Sequence, residues 1–144
     1  MEVYTLKEET NKIGHLNMIQ EIITRMGNNS FSLKQWSVGI MVAIYAFAGE
    51  SSHKAVIVTI IPLIVFWLLD AYYLMLERKF RCLYDEVRIK KEEEIDFDMS
   101  FKFIRVKMSD VKKYCFFKIL FSKTIWPFYI VCILTTLIIY FIKF

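Results

Sequence analysis

Val65–Phe80, VFWLLDAYYLMLERKF, decides the fold. Its first half is apolar enough for hydrocarbon, whereas its end, ERKF, is charged. Asp70 lies inside the apolar half, where an ionised carboxylate is expensive and turns towards a bundle interior, a partner or water. The stretch therefore predicts a helix that leaves a membrane and continues into water.

Working outward, residues 55–76 form an apolar run of roughly 33 Å as a helix, enough to span. Pro62 lies in its first half, where it removes one backbone hydrogen bond and is read as tolerated within a packed span. The connection before it, ESSHK at 50–54, leaves room only for a tight helical hairpin. Residues 31–49, FSLKQWSVGIMVAIYAFAG, supply the other arm. Gly39, Ala43 and Ala46 place small side chains on nearly one side, a face that lets another helix approach closely. Upstream, Ile13, Leu16, Ile19, Ile22, Ile23 and Met26 recur at helical spacing. That helix is too polar to span and is expected on the bilayer surface or against another helix, with Gly27-Asn28-Asn29 as its stop.

Downstream, Leu76, Phe80, Leu83, Tyr84 and Val87 continue the helical period into a charged stalk. Glu77 with Arg81, and Glu86 with Lys90, are four apart in the favourable order. The period then changes: Ile95, Phe97, Met99 and Phe101 alternate with Asp96, Asp98 and Ser100, and Ile104, Val106 and Met108 with Arg105 and Lys107. This predicts two short extended pieces, which need a partner surface to persist. Ser109-Asp110 opens an expected interfacial helix over 110–121, mixing lysines with aromatics. Thr124 is a candidate cap for the last span, residues 125–142, an uncharged run with Pro127 in its first turn.

The composition agrees with this layout. The chain has 144 residues, 56% hydrophobic and 24% charged, and its apolar residues come in blocks. The expected fold class is an all-α integral membrane protein: a transmembrane hairpin plus a third C-terminal span, an N-terminal amphipathic helix, and a small cytoplasmic segment able to hold short strands. The corresponding units are 1–30, 31–76, 77–123 and 124–144. Segment 77–123 carries 13 of the 19 basic residues, against one in the 50–54 turn and four in the first 34 residues. Basic loops stay inside, which predicts a multi-pass inner-membrane protein with its N-terminus and 77–123 cytoplasmic. The first 15 residues have no apolar core or cleavage site, so the first span is expected to direct its own insertion.

The modest net charge of +4 reads as topology, with no direct nucleic-acid binding expected. Cys82, Cys115 and Cys132 lack metal-ligand spacing and suggest no disulfide framework. Phosphate-binding, nucleophile-elbow and zinc motifs are absent from the sequence. His15 and His53 stand alone, with His53 read as a polar turn residue. Asp96 and Asp98 share a face if extended, but no further ligand supports a metal there. Asn28-Asn29-Ser30 fits the glycosylation pattern, which a cytoplasmic location makes irrelevant. The expectation is a non-enzyme without cofactor or metal.

Asp70 is the notable exception. If the hairpin turns near Ser52, residues whose numbers sum to about 104 lie at matching depth, as Lys34 and Asp70 do. An ion pair there would set helix register. The alternatives are a carboxylate snorkelling to headgroups, a subunit contact, or a water-filled pathway.

The run from IGHLNMIQEIITRMGNNSFSLKQWSVG through FWLLDAYYLMLERKFRCLYDEVR, roughly residues 12–90, resembles SLATT-type membrane effectors of prokaryotic defence systems. It is also similar in layout to small membrane accessory proteins beside RNA-targeting CRISPR and other anti-phage systems. Those share an N-terminal helix, a transmembrane hairpin and a long following helix; segment 95–108 and the third span depart from that pattern. The resemblance implies a homo-oligomeric effector that forms a pore or disturbs the inner membrane when a cytoplasmic defence partner, engaged through 77–123, signals infection. The alternative is a membrane anchor or scaffold that recruits or regulates such a partner.

Overall fold

The computed structural model describes the backbone of residues 2–47, 53–101 and 115–143, and side chains over 11–47, 58–101 and 115–142. Two long helices dominate, α1 (Glu2–Phe47) and α2 (His53–Ile89). They pack as one antiparallel hairpin, and three contacts record its register. Lys12 Nζ donates to the Lys90 carbonyl at 2.8 Å. A Cβ on Gly27 would lie 3.9 Å from Glu77 Oε2. Lys34 Nζ lies 2.6 Å from Asp70 Oδ2. The numbers of each pair sum to 102–104, so one register runs from the stem into the apolar half.

The expected stop at Gly27-Asn28-Asn29 is not made; α1 runs through it unbroken. Glycine permits a left-handed cap but does not require one, and its cost inside a helix is about 1 kcal/mol. Here Ile19, Ile23 and Met26 are buried before it, and Ser30 and Lys34 engage α2 after it. These contacts hold both sides of the glycine in one helix. The amphipathic segment thus lies against α2, where Ile19 and Ile23 form a core with Leu83 and Val87.

The strand expectation for 95–101 also fails, and no strand occurs among the described residues. After α2 a 3-10 turn, Glu92–Glu94, starts an irregular strap. Asp96 Oδ1 accepts from the Asp98 N–H at 3.2 Å, and Asp98 Oδ1 from the Ser100 N–H at 2.7 Å. Phe97 adopts φ 53°, a left-handed conformation outside any strand. The alternating pattern instead places Ile95 and Met99 on the stem core. Phe101 stacks edge-on to Phe80 at 4.8 Å, with the Lys79 ammonium 5.6 Å from its ring centre. Side-chain docking thus replaces ladder pairing. The second expected piece, 104–108, lies outside the described residues.

Of the helix expected over 110–121, residues 110–114 lie outside the described set, and α3 spans only Phe116–Leu120. The turn before α4 (Trp126–Lys143) is closed by the Ser122 carbonyl, which accepts from Ile125 and Trp126 N–H at 2.9 and 3.2 Å. Pro127 sits in the first turn of α4, where a missing N–H costs nothing. Buried Ala71, Ile119, Ile125 and Tyr129 join α2, α3 and α4 in a second core.

The fold is all-helical among the described residues. One helix, over Val58–Ile89, is long and apolar enough to cross a membrane, and Trp126–Ile142 is a shorter apolar helix.

Candidate functional site

Ser30, Lys34 and Ser37 follow one another at helical spacing on the face of α1 that meets α2. Opposite them Asp70 is completely buried, while the Lys34 side chain keeps a fifth of its surface exposed. Ser30 Oγ donates a short hydrogen bond to Asp70 Oδ1 and accepts one from Lys34 Nζ at 2.9 Å. One hydroxyl therefore serves both partners. Asp70 Oδ2 faces the ammonium at 2.6 Å and has no further hydrogen-bond partner. The two residues matched in depth by the hairpin are thus brought together, within the subunit.

A third helix closes the site. Tyr129 of α4 is fully buried, and its hydroxyl donates to the Phe66 carbonyl at 3.2 Å, one turn before Asp70. Trp67 holds the approach to α4 in place. Its Nε1 donates to the Leu120 carbonyl at 3.0 Å, and its ring stacks on Tyr129 at 5.9 Å and 10°. Neither Ser30 nor Tyr129 was a candidate in the sequence. Ser30 carried a signal, four residues before Lys34 on the same face; Tyr129 carried none, because its depth depends on how α4 returns.

Further along the bundle the polar groups stay inside. Ser37 and Thr136 are buried and donate to the Lys34 and Cys132 carbonyls at 2.7 and 2.9 Å. Such back-bonding satisfies a hydroxyl within its own helix. Thr136 Oγ1 also lies 3.8 Å from Met41 Sδ, joining α4 to α1. Thr59 is buried as well. The exteriors are apolar: Ile61, Ile64, Val65, Leu68 and Leu69 on α2, and Val131, Leu134, Ile138, Phe141 and Ile142 on α4, are exposed.

The small-residue face falls elsewhere. Gly39, Ala43 and Ala46 are exposed, and a Cβ on Gly39 would meet nothing within 4 Å. The close packing expected of them is therefore not made within the subunit, because the face of α1 that meets α2 carries Ser30, Lys34 and Ser37. Pro62 is half-buried, and α2 continues through it.

His15, in the stem, is completely buried with both ring nitrogens unpartnered. Phe97 of the strap lies over it at 5.2 Å. Burial pushes its imidazole below the ordinary value, against an upward pull from Asp96; Lys90 adds to the lowering and Asp98 opposes it. Asp96 is itself held below the ordinary carboxylate range, chiefly by the Asp98 N–H. Asp96 and Asp98 thus shape a turn, and no group of three potential metal ligands occurs among the described residues. Cys82, Cys115 and Cys132 are free thiols.

The central arrangement binds helices together through charge. Comparison with protein-family models, curated proteins and solved structures finds no match to this chain.

Proposed function

We propose that this chain is a three-span inner-membrane protein that acts as a membrane effector, with its stem in the cytoplasm. The observation that carries the membrane reading is the inverted distribution of polarity. A carboxylate, three hydroxyl side chains and a phenol are buried between α1, α2 and α4, with the partly exposed Lys34 ammonium turned in against the carboxylate, while the outer faces of α2 and α4 are apolar. Water favours the opposite distribution; a bilayer favours this one, since polar groups in spans turn to the bundle interior. The spans are the second part of α1, the first part of α2, and α4.

Two features support an effector that self-associates. The open Gly39, Ala43 and Ala46 face suits close approach by a second copy. The layout over residues 12–90 resembles SLATT-type defence effectors, which supports a role in anti-phage defence with a cytoplasmic partner engaging 77–123. The inward-facing Lys34–Asp70 pair would then describe a closed state, and membrane disturbance would require the subunits to rearrange.

One observation favours an anchor or scaffold. The charged groups of the bundle are paired inside one subunit, so copies meeting along α1 would bring no charged lining to a central channel. Membrane potential and dye release separate the two readings. Induced production in bacteria should depolarise the inner membrane, and purified chain should release dye from vesicles at high density. A chain that inserts fully yet does neither, even with its partner present, is an anchor.

A further inference from the structure

We propose that α3 and the turn after it form a site for an anionic phospholipid headgroup at the inner edge of the bilayer. Lys118 and Lys123 are its headgroup ligands, and Phe117 and Phe121 wedge between acyl chains. This rests on the membrane reading above.

Depth comes first. The Trp67 indole holds the Leu120 carbonyl at 3.0 Å, and Trp67 lies in the apolar half of α2, three residues before Asp70. The short helix α3 is therefore docked against the apolar half and not against the charged stem. Ile119 and Ile125 are fully buried beneath it, which fixes the opposite side outward. On that side Phe117 is 71% and Phe121 64% exposed. Phe121 caps α3 and meets Trp67 edge-on at 5.8 Å while leaving most of its ring exposed. Two exposed phenylalanines on a firmly docked turn are costly in water and favourable among acyl chains.

Charge then selects the lipid. Lys118 and Lys123 flank the two rings, and both are exposed. Neither has an ion-pair partner among the described residues. The nearest carboxylates along α2 are engaged elsewhere, Asp70 by Lys34 and Glu77 by Arg81. No acidic residue follows Asp110 in the chain, whereas Lys112, Lys113, Lys118, Lys123 and Lys143 do. Two exposed lysines without a paired carboxylate among the described residues thus flank apolar rings, where a snorkelling ammonium reaches towards lipid phosphates. That combination fits a phosphodiester headgroup carrying net negative charge, such as phosphatidylglycerol, better than a zwitterionic one.

The test uses the full chain reconstituted into vesicles of mixed phosphatidylcholine and phosphatidylglycerol with identical acyl chains. Flotation after an alkaline wash reports insertion. Native mass spectrometry of the mildly extracted protein then reports which lipid stays bound. The wild type should float and retain phosphatidylglycerol over phosphatidylcholine, by roughly fivefold per lysine engaged. K118Q/K123Q should float equally and lose the preference, while Arg88→Gln at the far end of the stem should keep it. An inserted wild type with no preference overturns the site, as does a double variant that keeps it or an Arg88→Gln variant that loses it equally. Retained lipid displaced by millimolar inorganic phosphate would mark a soluble-anion site and also overturn the assignment. Failure of the wild type to float overturns the membrane reading itself.

Discussion

At the scale of single residues, Asp70 shows how cost and position combine. Removing two charges from water costs several kcal/mol per ion, so a buried pair adds little net stability, yet losing one partner leaves the other stranded. Lys34→Ala and Asp70→Ala should each destabilise the folded chain by about 3–5 kcal/mol. Thermal unfolding in detergent should show both losses, with partial recovery when Lys34 and Asp70 are exchanged. A swap no better than either single variant would show that the pair does not set register. His15 offers a pH prediction. Burial lowers its proton affinity in the folded state, so the unfolded chain binds the proton more readily. Its contribution is complete above the ordinary value of 6.5 and falls away as the pH drops through the depressed folded value. Stability of the strap over the stem should therefore decline on acidification, and His15→Phe should flatten that decline. Hydrogen exchange over residues 91–101 between pH 8 and about 5 would measure both.

At the scale of elements, single side chains meeting backbone groups hold the junctions in place. Trp67 does this for α3, through the Leu120 carbonyl. Trp67→Phe keeps an aromatic ring but removes the indole N–H from the part-buried Leu120 carbonyl, at about 1 kcal/mol. The expected result is a looser α4, read as faster maleimide labelling of Cys132, which is 5% exposed in the folded chain. Unchanged labelling would show that the Tyr129 contacts suffice. In the strap, Asp98 accepts from both the Ser100 N–H and the Ser100 hydroxyl. Asp98→Ala should cost about 1 kcal/mol and raise protease sensitivity near Phe97 without altering the hairpin. The helical periods of α1 and α2 were legible because each buries one face over many turns. The alternation at 95–101 misled because Asp96 and Asp98 hold turns with their own carboxylates, a local competitor of the strand ladder. Gly27 misled for the opposite reason: a weak local preference for stopping met strong tertiary contacts on both sides.

At the scale of the whole molecule, the hairpin is one antiparallel unit that keeps its register from the charged stem into the apolar half. Such a unit could carry movement of the stem end into the bundle, the coupling an effector or a regulated anchor needs. Topology is the prediction at this scale. A single cysteine placed at Ser51 should be labelled from outside the cell by an impermeant maleimide, and Cys115 only after permeabilisation. The reverse pattern would overturn the topology proposed above, with the stem in the cytoplasm.

The sequence by itself determined the apolar blocks and, through the short connection between them, the depth at which Lys34 meets Asp70, because a short connection and a constant helical rise leave little freedom. Tertiary structure decided the rest. It carried α1 through Gly27, folded 95–101 as a strap, turned the Gly39 face outward and brought Tyr129 beside the ion pair. Those outcomes turn on contacts between segments distant in sequence, whose energies exceed the local preferences of glycine, alternation and small residues.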